Sequence, residues 1–413
     1  MRKESIKYSL VLLLSLGLLL SCGKKEKEGL KNGKWRGEFT LSEHKTVPFI
    51  FEAENTGTDS AVVYLINGAE RVPLKGIYWA GDTVIVPIES YDAELRGTVS
   101  NGKWEGIFKK LYLENDPGLP FNAVFADAPR FEIPTNPTDV SPTGRWEILF
   151  IGAEGDTSKN VGVFAQEGEI ITGSVLTKTG DLRYLEGSLT SNGFQLSGFS
   201  GLSPYLFEFR FAGKDEFTGE FYTQRGITRL EGKRNDNASL SDPYSMTSLK
   251  EGYDRIEFAF PDPDGNLISL SDPEYRDKVV VVSILGSWCP NCLDEMEYLS
   301  PWYKENKDRG VEIIGLAFER KDDPQYVKTV LSRLIKRYDV TYKILFAGKT
   351  GAESTATALP AIDKVMSYPT TVFIDKNGLV RKIHTGFNGP ATGLFYEEFK
   401  KEFNSTIDKL LAE

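Results

Sequence analysis

The chain has 413 residues, a length that suffices for two to four domains. Hydrophobic residues make up 40% of the sequence and charged residues 26%, proportions that indicate a folded globular protein rather than a disordered one. The net charge of −10 argues against nucleic acid and against anionic lipid headgroups as partners.

The first 21 residues predict a lipoprotein signal peptide. Arg2, Lys3 and Lys7 precede an apolar stretch over residues 8–20, which is too short to span a bilayer. The sequence LLSC, ending at Cys22, resembles a bacterial lipobox, whose cysteine is acylated after cleavage. This resemblance implies a membrane-attached chain, lipid-anchored at Cys22, in the cell envelope of a Gram-negative bacterium and facing the periplasm. Residues 22–33 would form a tether, and a plain signal peptide or a short signal anchor is the alternative.

Residues 34–234 predict an all-β region. Short apolar runs such as PFIFEAE, AVVYLI and LFEFRF alternate with clusters of Gly, Asn, Asp and Ser. So many short strands favour a sandwich or a closed barrel, because open sheet edges promote aggregation.

An internal repeat divides this region. Gly33-Lys34-Trp35 matches Gly144-Arg145-Trp146, and the segments at 71–76 and 182–187 match at the same offset. The repeat predicts a duplicated β unit, at 34–130 and 144–234, joined by a Pro-rich linker at 131–143. Chance similarity and one continuous β structure are the alternatives. The Gly-x-Trp starts resemble the opening strand of lipocalin and avidin-type barrels, which implies two small barrels.

After a polar linker at 235–252 the pattern changes to alternating strands and helices. Strands are predicted at 279–285, 311–317, 371–375 and 379–384, and helices at 293–307, 324–338 and 395–411. This alternation predicts an α/β domain at 253–413, so the fold class is a multidomain chain with an all-β N-terminal region. His384 alternates with Val380 and Lys382, which predicts a surface position for its side chain.

The chemistry-bearing motif is Cys289-Pro290-Asn291-Cys292, placed after a buried strand and at the start of a helix. Unpaired N–H groups at a helix start stabilise a thiolate at Cys289, and the thiolate is the nucleophile. Pro290 fits a first helical turn, where its missing N–H costs nothing. Cys292 lies about one turn further on, so we expect it to resolve a mixed disulfide formed at Cys289.

Zinc binding and a structural disulfide are the alternative uses of such a cysteine pair. Zinc would need two more ligands, but the chain has three cysteines and two histidines, without a second CxxC. We therefore expect no metal, and disulfide exchange requires no organic cofactor. A purely structural disulfide is the remaining alternative, in a strained place for one.

Three longer motifs accompany this pair: PDPDGNLISLSD, GSWCPNCLDEM and YPTTVFIDKNGLVRKIHTG. Together they resemble the TlpA/ResA-like thiol–disulfide oxidoreductases of the thioredoxin superfamily, over residues 253–413. The resemblance implies a thioredoxin fold with Cys289, Cys292 and Glu295 as catalytic residues, Glu295 exchanging a proton with the second thiol. Ser283 stands where thioredoxin has a buried aspartate, which shifts the proton-transfer role onto Glu295.

The resemblance also implies residues that support the site or bind the substrate. Trp288 would cover the disulfide, and Pro369 would be a cis-proline facing it. An extended substrate segment would pair with the backbone at Tyr368, Pro369 and Thr370.

The expected function is exchange of the CxxC dithiol with disulfides of protein substrates, as a reductant supplied by a membrane electron donor. One alternative is a peroxiredoxin-like thiol peroxidase, because PDPDGNLISLSD also resembles the opening of peroxiredoxins. The other is an envelope lipoprotein whose β region binds a ligand or partner, with an accessory redox domain.

Overall fold

A computed structural model describes residues 28–413. Cys22 and the predicted signal peptide lie outside these residues. Within the described part of the chain, none of the helices combines the length and the apolar character needed to cross a membrane.

The first nine strands form one antiparallel sheet. Their hydrogen-bonded order is β4-β3-β2-β1-β9-β8-β7-β6-β5, so β4 and β5 are its two ends. The strands are β1 (Gly33–Ser42), β2 (Lys45–Glu54), β3 (Val62–Asn67), β4 (Glu70–Lys75), β5 (Tyr78–Ala80), β6 (Thr83–Ile88), β7 (Ala93–Ser100), β8 (Lys103–Lys110) and β9 (Leu119–Phe125).

The next nine strands form a second antiparallel sheet that closes on itself. The order is β11-β10-β18-β17-β16-β15-β14-β12-β13, and an additional pairing of β11 with β12 completes a barrel. The strands are β10 (Gly144–Ile151), β11 (Thr157–Glu167), β12 (Ile170–Thr177), β13 (Gly180–Asp181), β14 (Leu185–Leu189), β15 (Gly193–Gly198), β16 (Tyr205–Phe211), β17 (Glu216–Thr223) and β18 (Gly226–Arg234). We call the two sheets, with their loops, β unit 1 and β unit 2.

The two repeat starts adopt the same local structure. Gly33 and Gly144 open β1 and β10 with φ angles of 121° and 123°. Trp35 and Trp146 are fully buried, and each indole N–H donates to the carbonyl four residues earlier, at 2.9 and 2.7 Å. The predicted all-β region built from barrel-like units is therefore confirmed, and both tryptophans are part of packed cores.

The C-terminal part is an α/β fold around a five-stranded sheet of order β23-β22-β21-β24-β25. Strands β23, β22 and β21 are parallel to one another, β24 is antiparallel to β21, and β25 is antiparallel to β24. A small β19–β20 hairpin precedes this sheet in the chain. The strands are β19 (Ala259–Pro261), β20 (Leu267–Ser269), β21 (Val279–Leu285), β22 (Val311–Glu319), β23 (Lys343–Lys349), β24 (Thr370–Ile374) and β25 (Val380–Thr385). The helices are α1 (Pro290–Asn306), α2 (Pro324–Tyr338), α3 (Ala352–Ala358) and α4 (Leu394–Ala412). The predicted thioredoxin-like fold is confirmed.

The β region packs directly against the helices of this α/β fold. Buried apolar side chains of β unit 1 and those beneath α1, α2 and α4 belong to one continuous cluster. On α2, Arg333 donates to the carbonyl of Glu89 at 2.8 Å, and the Tyr326 hydroxyl donates to Asp92 at 2.6 Å. The thioredoxin-like fold is therefore joined to the β region by an extensive interface.

The prediction for His384 was wrong. Its side chain is 5% exposed and lies on β25 between the rings of Tyr244 and Phe399, with centroid distances of 5.0 and 5.3 Å. Burial lowers the pKa of His384 to about 4. The alternating pattern failed because the chain before β19 and helix α4 cover this end of β25.

Candidate active site

Cys289 is the N-cap residue of α1. The strand β21 is buried along its whole length, and the chain turns at Gly286–Trp288 before the helix begins. The backbone of Cys289 is extended, and its Sγ accepts the N–H of Cys292 at 3.4 Å. Pro290 occupies the first helical turn, as the sequence predicted. An N-cap sulfur that accepts a backbone N–H is placed to carry negative charge, because helix-start donors favour the anion.

Cys292 is more deeply placed than Cys289. The two side chains are free thiols, 2% and 6% exposed respectively. Burial, followed by the hydrogen bond and the charge of Cys289, raises the pKa of the Cys292 thiol well above its usual range. Cys289 is therefore the thiol better suited to react first, and Cys292 needs a base to become a nucleophile.

Glu295 lies beneath the cysteine pair and is 1% exposed. Its carboxyl accepts hydrogen bonds from the hydroxyls of Ser283 at 2.6 Å and Thr371 at 2.5 Å. Burial raises the pKa of Glu295 to about 7, although both hydroxyls lower it in part. Its charge also contributes to the raised pKa of the Cys292 thiol. The Ser283 hydroxyl thus helps to orient the glutamate.

The Tyr368–Pro369 peptide bond is cis and faces the cysteine pair. The Cys289 thiol donates to the carbonyl of Tyr368 at 3.4 Å. The half-buried Trp288 donates from its indole N–H to the carbonyl of Phe318 at 3.0 Å, and its ring meets that of Tyr368 edge-on at 5.7 Å. The structure therefore brings Trp288, Tyr368 and Pro369 together around Cys289.

Thr370 lies inside the sheet, unlike Tyr368 and Pro369, which precede it in the chain. It is fully buried, pairs with Ile284 on one side and Thr385 on the other, and its hydroxyl donates to the carbonyl of Ser367 at 2.7 Å. A residue paired on both edges has no backbone edge left for an added strand. Among the three predicted substrate contacts, Thr370 is the one held inside the sheet.

Sequence reasoning missed a second buried glutamate next to the motif. Glu319, at the end of β22, is fully buried and accepts both the backbone N–H and the hydroxyl of Ser287, at 2.9 and 2.7 Å. Burial raises the pKa of Glu319 above its usual value. It fixes the turn between β21 and Cys289, and only its place in an apolar strand, VEIIGLAFE, distinguished it in the sequence.

Sequence reasoning also missed a contact between β unit 2 and the two residues between the cysteines. The Asn291 amide donates to the carbonyl and carboxylate of Asp181, both at 3.3 Å. Arg183 donates to the carbonyl of Pro290 at 3.1 Å and pairs with Asp294 at 2.6 Å. Asp181 and Arg183 precede the CxxC motif by more than a hundred positions, and nothing in the sequence relates the two segments.

Within residues 28–413, no group of three or more His, Cys, Asp or Glu side chains is placed to hold a metal ion. The reactive groups that the structure brings together here are the two thiols and the buried carboxyl of Glu295.

Comparison with known proteins places the site in a family. A family model described as the AhpC/TSA family matches residues 252–383. The thiol-disulfide oxidoreductase ResA of Bacillus subtilis (strain 168) is 31% identical over 139 residues, which cover 34% of this chain and 69% of that protein. ResA of Bacillus thuringiensis subsp. konkukian (strain 97-27) is 30% identical over 154 residues, covering 37% and 79%.

Solved structures also align with the C-terminal part. A thiol:disulfide interchange protein of the thioredoxin family from Chlorobium tepidum TLS covers 40% of this chain and 99% of its own, with 19% identity and a TM-score of 0.31. The family model spans residues 252–383, which include the Cys289–Cys292 pair, and the chain covers 69% of a relative that is 31% identical to it. The chain thus belongs to the TlpA/ResA-like thiol–disulfide oxidoreductases of the thioredoxin superfamily.

Proposed function

We propose that Cys289 and Cys292 form the redox pair of this oxidoreductase and exchange electrons with disulfides of extracytoplasmic proteins, with the chain acting as a reductant. The observation that carries the proposal is the arrangement of the pair: an N-cap sulfur facing the carbonyl of Tyr368, and a buried second thiol above Glu295. These positions support different roles for the two thiols in the proposed reaction.

The reaction proceeds in two exchanges. The Cys289 thiolate attacks one sulfur of a client disulfide, forming a mixed disulfide and releasing the other client sulfur as a thiolate, which takes a proton from water. Glu295 then accepts the proton of Cys292, and the resulting thiolate attacks the Cys289 sulfur. The second client sulfur leaves as a thiolate and takes up the proton that Glu295 accepted, so the client is released as a dithiol and the chain keeps the two-electron oxidised disulfide.

The direction as a reductant is supported by the charges around the pair. Glu295 is a carboxyl close to the Cys292 thiol, and negative charge disfavours thiolates. A thiol pair becomes a strong oxidant when its reduced form is stabilised, and this surrounding works against such stabilisation. Return to the dithiol requires two electrons from a membrane donor, which we include in the proposal.

The test is the reduction potential of the Cys289–Cys292 couple, measured by equilibration in defined thiol buffers with mass-tag readout. We expect a value near that of thioredoxin, about −270 mV. A value near that of a strong oxidant, about −120 mV, would reverse the direction. The proposal would be refuted if the two cysteines formed no disulfide at any redox potential of the thiol buffer.

We further propose that the chain acts in the cell envelope of a Gram-negative bacterium, facing the periplasm and lipid-anchored at Cys22. The support is the signal sequence that ends in LLSC. Expressed with its signal sequence, the wild-type chain should fractionate with membranes and Cys22→Ala should not. Equal membrane association of the two forms would remove Cys22 as the anchor.

A second candidate is a thiol peroxidase, which the match to the AhpC/TSA family over residues 252–383 favours. Its defining reaction would be oxidation of Cys289 by peroxide, whereas the proposed enzyme reacts with disulfides. The rates of dithiol oxidation by hydrogen peroxide and by a protein disulfide, measured side by side, separate the two. We expect the disulfide to react faster.

A further inference from the structure

We propose that β unit 2 contributes positioning residues to the redox site: Asp181 and Arg183 hold the two residues between the cysteines and thereby set the reduction potential of the couple. This inference rests on the proposed role of Cys289 and Cys292. It assigns to the β region a part in the chemistry, in addition to its part in the architecture.

The first part of the contact is a buried ionic network. Arg183 has a side chain 16% exposed and pairs with Asp294 of α1 at 2.6 Å and with Glu70 of β unit 1 at 2.7 Å. The same guanidinium donates to the carbonyl of Pro290. One side chain therefore connects both β units to the peptide between the cysteines.

The second part is a set of hydrogen bonds centred on Asp181, which is 5% exposed. Its carboxylate accepts the N–H of Gly389 at 2.7 Å, the N–H of Arg183 at 2.6 Å and the amide of Asn291 at 3.3 Å. The Asn291 amide also reaches the carbonyl of Phe387 at 3.4 Å. Asp181 thus joins the CxxC turn to the loop that follows β25.

The backbone of β unit 2 is shaped for this contact. Arg183 adopts φ of 54°, a left-handed conformation that is uncommon for a large side chain. Gly180 has φ of 153°, and a Cβ added there would lie 2.9 Å from the amide carbon of Asn291. Residues held in sparsely populated conformations persist where the surrounding structure requires them.

The electrostatic consequence has a definite direction. Arg183 is the cation that contacts Glu70 and Asp294 at the first turn of α1, where burial raises the pKa of Asp294 to about 8 and the pKa of Asp181 above its usual value. Removing the Arg183 side chain takes one positive charge away from the start of α1 and releases the Pro290 carbonyl. Loss of a positive charge disfavours the thiolate form, so the dithiol state becomes less stable and the reduction potential becomes more negative.

The test compares reduction potentials of the full chain and of two variants that break the contact from opposite sides. Arg183→Gln removes the cation, and Asn291→Ala removes the amide without leaving a buried charge unpaired. For Arg183→Gln we expect a shift of about tenfold in the exchange equilibrium, or about 30 mV, toward a more reducing couple. For Asn291→Ala we expect a shift of at least threefold.

The control is Arg333→Gln, which removes a contact between α2 and β unit 1 that involves neither the cysteines nor the two residues between them. It should weaken the same interface and leave the potential within twofold of the wild type. Near-UV circular dichroism establishes that each variant is folded, and Asn291→Ala keeps the inference testable if Arg183→Gln does not fold.

Two failures are distinguishable. If wild-type cysteines form no disulfide, the proposed function falls. If the wild type has a defined potential, but folded Asn291→Ala and any folded Arg183→Gln match it, the contact is structural only and this inference is overturned. A shift produced equally by Arg333→Gln would also overturn it.

Discussion

At the scale of single residues, Glu295 combines a structural cost with a chemical role. Its carboxyl is buried with two hydroxyl donors, and its pKa of about 7 places its charge change near neutral pH. The same group is therefore expected to influence both the pH dependence of stability and that of the exchange reaction.

The stability prediction concerns Glu295→Gln. The folded chain binds the Glu295 proton more tightly than the unfolded chain, whose value is near 4.5. The stabilising contribution of the protonated Glu295 carboxyl is therefore fully present below about pH 4.5 and is lost as pH rises through about 7. The unfolding free energy of Glu295→Gln, minus that of the wild type, should therefore increase by up to about 3 kcal/mol between pH 4.5 and pH 8. Urea titration at the two pH values measures this difference.

The control for this measurement is Glu297→Gln, because Glu297 lies two positions further along α1 with an exposed side chain. Its unfolding free energy should follow that of the wild type at both pH values. A difference between wild type and Glu295→Gln that stays constant with pH would contradict the raised pKa.

The kinetic prediction concerns the second exchange. Resolution of a mixed disulfide at Cys289 should accelerate with pH, with a midpoint near 7, because ionised Glu295 accepts the proton of Cys292. Glu295→Gln should slow this step about 10²-fold and abolish that midpoint. The measurement is release of a small thiol from preformed mixed disulfide, and an unchanged profile in the variant would exclude Glu295 as the base.

At the scale of elements, the first strand of each β unit carries a buried tryptophan whose indole N–H donates to a backbone carbonyl. Trp35 and Trp146 each fill a core and satisfy a carbonyl four residues before them. Trp104 is equally buried in β unit 1, but its indole N–H is among the buried polar atoms of residues 28–413 that have no hydrogen-bond partner.

These three tryptophans allow a matched comparison of stability. Phenylalanine at any of them removes volume, whereas at 35 and 146 it also removes a hydrogen bond to a backbone carbonyl. We expect Trp35→Phe to cost about 1–2 kcal/mol more unfolding free energy than Trp104→Phe. Equal losses in chemical denaturation would show that the indole hydrogen bond contributes nothing.

Element prediction from the sequence succeeded where the pattern was strong. The continuous apolar run of β21 and the capped, amphipathic helix α2 were predicted with the ends that the structure has. The strand β23 was missed because it lies at a sheet edge, where buried and exposed positions mix and Gly348 interrupts the pattern. Helix α3 was missed because its seven residues bury only Thr355.

The residues of the candidate site also divide into those that sequence patterns predict and those that they do not. Trp288, Cys289, Cys292, Glu295 and Pro369 could be predicted because family motifs relate positions that are distant along the chain. Asp181 and Arg183 could not, because their contact with Asn291 and Pro290 arises only from the packing of a barrel against a helix. Local sequence patterns carry no information about such a contact.

At the scale of the whole molecule, the β region and the thioredoxin-like fold share one apolar cluster. Structures that share a core usually unfold together. We expect tryptophan fluorescence and far-UV circular dichroism to report one coincident transition in guanidinium chloride. Two separated transitions would show that the shared cluster does not couple the parts.

The two β sheets differ in their edges: the second closes into a barrel, whereas the first has an edge strand at each side. This difference affects solubility. The closed second sheet has no end strand along its barrel, whereas the first ends at β4 and β5. A sheet end invites pairing with another molecule unless it is short, charged or interrupted by proline. Strand β5 has three residues, and β4 carries Arg71, Pro73 and Lys75. Both ends therefore discourage edge-to-edge association between neighbouring molecules, which matters most if the chains are concentrated on a membrane surface.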